Sequence, residues 1–433
     1  MKIFHILRKE YLNALRVGWF LAFRQIRRTA KSTTVLIVFI MVLTFLNLVV
    51  VSGLLIGLIT GSFRQYRESY SGAVIVTAAS GKNYIENSKE LVAFFRSHPE
   101  VKAISPRYGT TARLLGTLDR LPEKNKRPNQ LSMRLTGIDP IQEERLTRFS
   151  RFVKYGSMIS PDDEGQMLIG ANLIKKYSAF ADANIPGLDL LDGVDVGSRV
   201  RVTIPTTDGT VISKEFVLKG IVKSKVDEIS TRMFITDREL KRLLPATAEE
   251  YQEIAVDADL AYAPTLVAEA KAFLTEPDDA RIQTAMEAIP SFLRDIETTM
   301  GVLGNALSSI ALVVASITIF IVIYINAVTK RKFIGIMKGI GISPLAVELS
   351  YTFQALFYGL AGSLIGLILT FGVIRPFFDA HPIDFPFSDG ILVATAEGAL
   401  LRVGILVGIA LLAGYIPAQR IVRRNTLDAI LGR

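Results

Sequence analysis

The sequence predicts an α-helical membrane protein with four transmembrane helices plus a large α+β extracytoplasmic domain inserted between helices 1 and 2. Three observations lead there. The 433 residues are 50% hydrophobic and only 21% charged, with a mean hydropathy of +0.35, a balance that is rare in a soluble chain of this length. Four long stretches carry no Asp, Glu, Lys or Arg. The basic residues gather on one set of flanks of those stretches.

A bilayer core about 30 Å thick needs roughly 20 apolar helical residues. Between Lys31 and Arg64 lie 32 uncharged residues, between Glu297 and Lys330 another 32, between Glu348 and Arg375 there are 26, and between Arg402 and Arg420 there are 17. The last stretch extends outward through Gly398 to Leu401, with the Arg402 stem snorkelling to water. Transmembrane helices are therefore expected at 33–61, 298–329, 348–374 and 398–418. The first begins too late and runs too long for a signal peptide and has no small-residue cleavage site, so it reads as an uncleaved anchor.

Charge sets the orientation. Residues 1–31 hold eight Lys/Arg against Glu10, a net +7. The segment 330–348 and the tail each carry +3, whereas the loop between spans three and four carries −3. The positive-inside rule puts both termini and the 330–347 loop in the cytoplasm. The cytoplasmic parts are then an amphipathic segment 1–32, the loop 330–347 and the tail 419–433, with 62–297 and 375–397 outside. The region from Arg64 to Glu297 has 32 basic and 34 acidic residues, so the overall +9 belongs to the cytoplasmic fringe. That pattern suits anionic lipid and argues against nucleic acid.

The external domain mixes periods of 2 and 3.6. Strands are expected at 72–78, within VKAISP, TTARLLGTL and LSMRLTGI, in a hairpin turning at Asp208-Gly209, and at RMFIT and QEIAVDAD; helices are expected at 87–99, at DRELKRLL and near 264–274. The run MLIGANLIKKYSA reads as a strand followed by a helix, and 119–130 as an exposed loop. Residues 138–225 make a possible inserted subdomain. Residues 279–300 read as one helix feeding straight into span two.

Several chemistries find no residues. There are no cysteines, which excludes disulfides, thiolate metal sites and a cysteine nucleophile. Three scattered histidines, His5, His98 and His381, suggest neither a metal site nor a catalytic triad. Asp162-Asp163-Glu164 reads as an exposed turn rather than a cation site, and Asp227-Glu228 likewise as a turn. No G-x-x-x-x-G-K-[ST] occurs, so no P-loop holds a nucleotide. The spans lack mid-membrane Asp, Glu, Lys or His, which disfavours an ion-coupled carrier. The expectation is a non-catalytic chain without metal or cofactor of its own.

Two patterns remain. KFIGIMKGIGISP (332–344) is short, basic and amphipathic, with Phe333, Ile334, Ile336, Met337 and Ile340 as its apolar members. It reads either as an interfacial helix in the headgroups or as a docking helix for a cytoplasmic partner, and its glycines are expected to be packed. The spans carry small-residue ladders, Gly53/Gly57/Gly61, Gly362/Gly366 and Gly404/Gly408, which let helix backbones approach closely within one chain or between two.

The run VASITIFIVIYINAVTKRKFIGIMKGIGISPLAVELSYTFQALFYGLAGSLIGLIL (314–369), the tail AGYIPAQRIVRRNTLDAIL (413–431) and the entry FRQIRRTAKS resemble the MacB/LolC/FtsX-type ABC transporter permease family. MLIGANLIKKY, VGSRVRVTIP and FVLKGIVKSKVDEISTRMFIT look most like the lipoprotein-releasing LolC/LolE branch. The chain departs from the family pattern at Phe333, Gln354 and Thr426-Leu427. The resemblance implies a permease in the bacterial inner membrane that works with a cytoplasmic ABC ATPase dimer, which binds ATP and Mg, and with a second permease copy or paralogue. It implies an ATPase-coupling loop of Arg331, Phe333, Ile334, Gly335, Met337, Lys338, Gly339 and Gly341. It also implies extraction or export of a lipophilic cargo by mechanotransmission, with lipoprotein release foremost and a periplasmic adaptor or lipoprotein carrier as a further partner. The alternatives are a MacB/DevC-like exporter with a membrane-fusion adaptor and an FtsX-like regulator of cell-wall hydrolases.

Overall fold

In the computed structural model the described residues are 2–29, 31–116, 129–178, 180–181, 190–206, 209–244, 250–274, 280–385, 389–390 and 392–423. Most of the loop 119–130, Asp208 of the expected hairpin turn and the tail beyond Arg423 lie outside them. The chain divides into a helical unit, made of 1–59, 294–385 and 389–433, and a sheet-bearing unit, made of 60–293 with 386–388.

In the helical unit, an N-terminal helix Lys2–Arg28 precedes four helices long and apolar enough to cross a membrane: Lys31–Ser71, Ser291–Thr329, Pro344–Ala380 and Ala396–Val422. Local chemistry fixes several ends. Ser343 caps Pro344–Ala380, its hydroxyl accepting from the Ala346 N–H, with Pro344 in the first turn where its missing N–H costs nothing. Thr395 caps the last helix by accepting from the Gly398 N–H at 3.1 Å. A π-turn at Asn47–Val51 interrupts the first span, and near it the Val393 N–H donates to the Gly53 carbonyl at 3.1 Å. The core of this unit is Ile37, Met41 and Phe45 against Tyr351, Ala355 and Tyr358, with Leu406 and Ala410 behind them. The N-terminal helix packs on Pro344–Ala380, where Trp19 meets Phe353 edge-on at 5.4 Å and the Gln354 amide donates to Gln25 at 2.7 Å.

The second unit is a mixed ten-stranded sheet. Its strands are β1 (Val74–Ala78), β2 (Val101–Leu115), β3 (Gln130–Ile138), β4 (Val153–Gly156), β5 (Gln166–Gly170), β6 (Arg199–Pro205), β7 (Val211–Val222), β8 (Met233–Thr236), β9 (Glu253–Ala258) and β10 (Ala280–Thr284). They run in the order β10-β1-β9-β2-β3-β8-β5-β7-β4, with β6 against β2 and β7. Pairs β3/β8 and β5/β7 are parallel, the others antiparallel. The long β2 joins two cores. Its first half pairs with β9 beneath helices Ser88–Ser97 and Ala263–Phe273, burying Leu91, Phe95 and Leu266 on Val74 and Val256. Its second half pairs with β3 and β6, where Leu114, Leu135 and Phe216 are buried together.

Three local expectations change. The strand candidates VKAISP and TTARLLGTL are one strand, because Pro106 and Gly109 are accommodated within its pairing. After β5 the chain makes a 3-10 turn, Ala171–Leu173, in place of a helix, because Ile174 is drawn into a bridge with Leu191. The expected helix 279–300 begins only at Ser291, after Pro290, and residues 280–284 form β10 against β1. The Asp162–Glu164 turn is met by cations, with Lys219 at 2.5 Å from Asp163, Arg238 at 3.3 Å from Asp162, and Arg242 on Glu164. Asp227–Ser230 is a single helical turn.

One feature had no signature in the sequence. Arg107 is buried in β2 and its guanidinium forks onto Glu143 at 2.8 and 2.9 Å, while its Nη2 also donates to the Tyr70 carbonyl at 2.8 Å. The Tyr70 hydroxyl donates to Glu253 at 2.6 Å and accepts from Arg232 at 2.9 Å, and Arg232 reaches Glu253 at 3.1 Å. Burial alone would raise the Glu253 carboxyl, but Arg232, Arg134, Arg107 and the Tyr70 hydroxyl outweigh it and hold it at about 2, below the ordinary 4.5. A carboxyl held low stabilises the fold above its unfolded value and loses that contribution as pH falls through its folded value, here between 4.5 and about 2. Arg107→Met should destabilise this unit by about 3–5 kcal/mol by leaving Glu143 buried without its partner. Hydrogen exchange of β2 and β9 in the full chain checks this, and protection equal to wild type would refute it.

Candidate functional site

The short basic segment folds as the helix Arg331–Gly339. It stops at Gly341, whose φ of +94° suits glycine. The Ile342 N–H returns to the Met337 carbonyl at 3.0 Å and the Gly341 N–H to Lys338 at 3.1 Å, the Schellman arrangement. Ser343 and Pro344 then start the next helix, so the whole turn is written locally.

The apolar members of the helix divide between two faces. Ile334, Gly335 and Met337 are buried, joining the core of the helical unit. Phe333, Ile336 and Ile340 point outward and are 61, 52 and 75% exposed. Their spacing of three and four residues puts them on one stripe. Lys338 is turned inward, its ammonium donating to the Val422 carbonyl at 2.9 Å at the end of the last helix. Beside it Arg423 approaches the buried Glu348 at 3.6 Å. These two contacts tie the helix 396–422 terminus to the connection between spans two and three. Arg331 Nε is buried and has no hydrogen-bond partner among the described residues. The expectation of packed glycines needs correction at Gly339 and Gly341, where an added Cβ would meet nothing within 4 Å among the described residues.

The ladders differ among themselves. A Cβ at Gly362 would strike Met41 and one at Gly366 would strike Phe45, so this pair brings the first and third spans together. Gly53 is closed by Leu392 and the Val393 carbonyl, Gly57 is buried and Gly61 half-buried. At Gly404 and Gly408 an added Cβ would meet nothing within 4 Å among the described residues, an open strip on the last helix. The sequence reading missed the small residues that join the third and fourth spans. A Cβ at Gly359 would lie 3.2 Å from Ala410, and one at Gly414 would crowd Ala355. Admitting alanine to the four-residue spacing would have found them. Gly366→Leu should therefore lower the thermal midpoint of the purified chain by several degrees, whereas Gly404→Leu should leave it within a degree or so. Equal effects in a detergent melt would contradict this division.

Residues 305–426 match the FtsX-like permease C-terminal family. The ABC transporter permease YtrF of Bacillus subtilis (strain 168) is 28% identical over 134 residues, covering 28% of this chain and 30% of YtrF. The macrolide export ATP-binding/permease protein MacB of Neisseria gonorrhoeae is 28% identical over 138 residues, covering 31% of this chain and 20% of MacB. The chain thus spans less than a third of the length of either relative. Among solved structures, the periplasmic region of MacB from Actinobacillus actinomycetemcomitans aligns over 50% of this chain and 93% of its own, with 12% identity and a TM-score of 0.32. The extracellular domain of the ABC-type transporter YknZ from Gram-positive bacteria aligns over 49% and 99%, with 11% identity and a TM-score of 0.30. The described helix Arg331–Gly339 and the last three long apolar helices, apart from the start of the first of them, fall within the matched segment. Residues 305–426 thus match the FtsX-like permease C-terminal family and are similar to the YtrF and MacB permeases, and the described residues include four helices long and apolar enough to cross a membrane.

Proposed function

We propose that this chain is the permease subunit of an ABC transporter, coupling ATP hydrolysis by a separate cytoplasmic ATPase dimer to extraction or export of a lipophilic cargo by mechanotransmission. The observation that carries this reading is the exposed stripe Phe333, Ile336 and Ile340 on a helix closed at its C-terminus by a Schellman turn, inside the FtsX-like segment. Three large apolar side chains on a basic loop suit insertion into a partner's cleft, each worth about 1.5–3 kcal/mol when fully covered. Arg331, Ile334, Gly335, Met337, Lys338, Gly339 and Gly341 shape and hold that helix. In this reading the +7 and +3 flanks put both termini and the loop in the cytoplasm, and ATP with Mg belongs to the partner.

Nucleotide-driven closure of the ATPases would push on the loop, and the spans would carry that motion outward. Gly404 and Gly408, open among the described residues, suit packing on a second permease copy or paralogue. For cargo, lipoprotein release follows from the likeness of the external segment to the LolC/LolE branch. A second reading, adaptor-dependent export, is favoured by the identity with MacB, itself named a macrolide export protein.

Co-purification from mild detergent with candidate ATPases, followed by vanadate-sensitive ATP hydrolysis, tests the core proposal. Phe333→Glu should abolish retention of the ATPase while leaving the melt of the chain unchanged. Gly339→Trp, placed in open space, should do the same by obstructing the docking face. Normal retention and turnover in both variants would reject this helix as the coupling element.

A further inference from the structure

The sheet-bearing unit contains a cleft of 540 Å³. One side is the end of the helix Lys31–Ser71, with Arg67 and Glu68. Another is the helix Pro140–Thr147 and the turn after it, with Arg145, Arg148 and Arg151. The floor is made by the start of β2 at Lys102 and the end of β9 at Asp257. Two of these cations are already engaged. Arg67 pairs with Glu68 at 2.9 Å, and Arg151 donates to the Glu68 carbonyl and the Ser69 hydroxyl at 3.2 and 3.3 Å. Lys102, Arg145 and Arg148 make no side-chain hydrogen bond or ion pair among the described residues.

Arg148 is held there at a cost. It closes the helix Pro140–Thr147 in the left-handed conformation, φ +53°, with its N–H on the Glu144 carbonyl at 2.9 Å. Asn87 is the other described non-glycine residue with positive φ. Glycine would occupy that cap without the steric penalty that an L side chain incurs. A guanidinium kept in a strained position at the rim of a concave, cationic cleft implies that the side chain is used. Asp257 and Asp259, on the β9 side, repel a long polyanion and leave room for a compact anion whose remainder carries hydroxyl or ammonium hydrogens.

We infer that this cleft binds a phosphate ester headgroup, with Arg145, Arg148 and Lys102 on the phosphate oxygens and Asp257 on the polar remainder. Guanidinium forks match phosphate geometry and stay charged at any working pH. The chemistry fits the headgroup of a phospholipid or lipid-anchored cargo and equally a soluble phosphate ester. The inference is independent of which ATPase docks on the helix Arg331–Gly339, because its site and its readout involve no nucleotide.

The full chain in phosphate-free dodecyl maltoside is titrated calorimetrically at about 0.15 M NaCl, where exposed charges are screened beyond roughly 8 Å, with dihexanoyl phosphatidylglycerol, glycerol phosphate and phosphate-free dihexanoyl glycerol. Saturable binding of at least one phosphate ester is expected, with dihexanoyl glycerol inert. Phosphatidylglycerol binding at least tenfold tighter than glycerol phosphate assigns a lipid headgroup, and equal binding assigns a soluble ester; both support the site. Arg148→Gly should weaken binding at least tenfold while raising the thermal midpoint, and Arg145→Gln should weaken it with the midpoint unchanged. Absence of saturable binding to both esters, or wild-type affinity in both variants, overturns the inference.

Discussion

The buried charges around Tyr70 are the constraint on which the rest of the sheet-bearing unit depends. A helix ends with carbonyl groups that have no partner inside the helix, and the helix Lys31–Ser71 ends inside a protein core, where water cannot supply one. Arg107 donates to the Tyr70 carbonyl and Arg232 to its hydroxyl, while Glu143 and Glu253 neutralise the two guanidiniums. Charges this deep are tolerated only when each is paired and hydrogen-bonded. Their geometry is therefore demanding, and it draws β2, β9, the residue before β8 and the helix Pro140–Thr147 onto one point. Tyr66 and Tyr70 complete the arrangement with an apolar cluster of Phe149, Phe152, Phe234 and Ile289. The last residues of that helix are consequently part of the sheet unit's own core.

The helical unit follows a different rule. Apolar burial gives little drive between helices that face lipid, so close approach through small residues has to serve. Gly362, Gly366, Gly359 and Gly414 provide it inside the chain, with Met41, Phe45, Ala410 and Ala355 as their counterparts. Polar contacts between distant parts of the chain add to this among the described residues, Gln354 on Gln25 and Lys338 on the Val422 carbonyl. Gln354, a departure from the family pattern, has a concrete role in holding the N-terminal helix. The helix Arg331–Gly339 is closed at its C-terminus by the turn at Gly341, and Ser343 caps the next helix two residues later.

The sequence by itself determined the elements whose signals are local. Long uncharged runs marked the four apolar helices, since a hydrocarbon layer admits only a continuous helix of sufficient length. Alternating residues marked most of the strands, and the basic amphipathic pattern marked the short helix. The same locality explains the errors at 171–176 and 279–290, where a helical pattern yielded to a bridge with Leu191 and to pairing with β1.

What only the tertiary structure decided is which side of each element has a neighbour. Five apolar residues between 333 and 340 look alike in sequence, yet Ile334 and Met337 serve the core while Phe333, Ile336 and Ile340 face outward. Three glycine ladders look alike, yet Gly362 and Gly366 are filled while Gly404 and Gly408 stand open. Arg107, Glu143, Arg232 and Glu253 are separated by up to 146 positions. No local pattern records a pairing across that distance, because it is the sheet order and the incoming helix end that bring the four together.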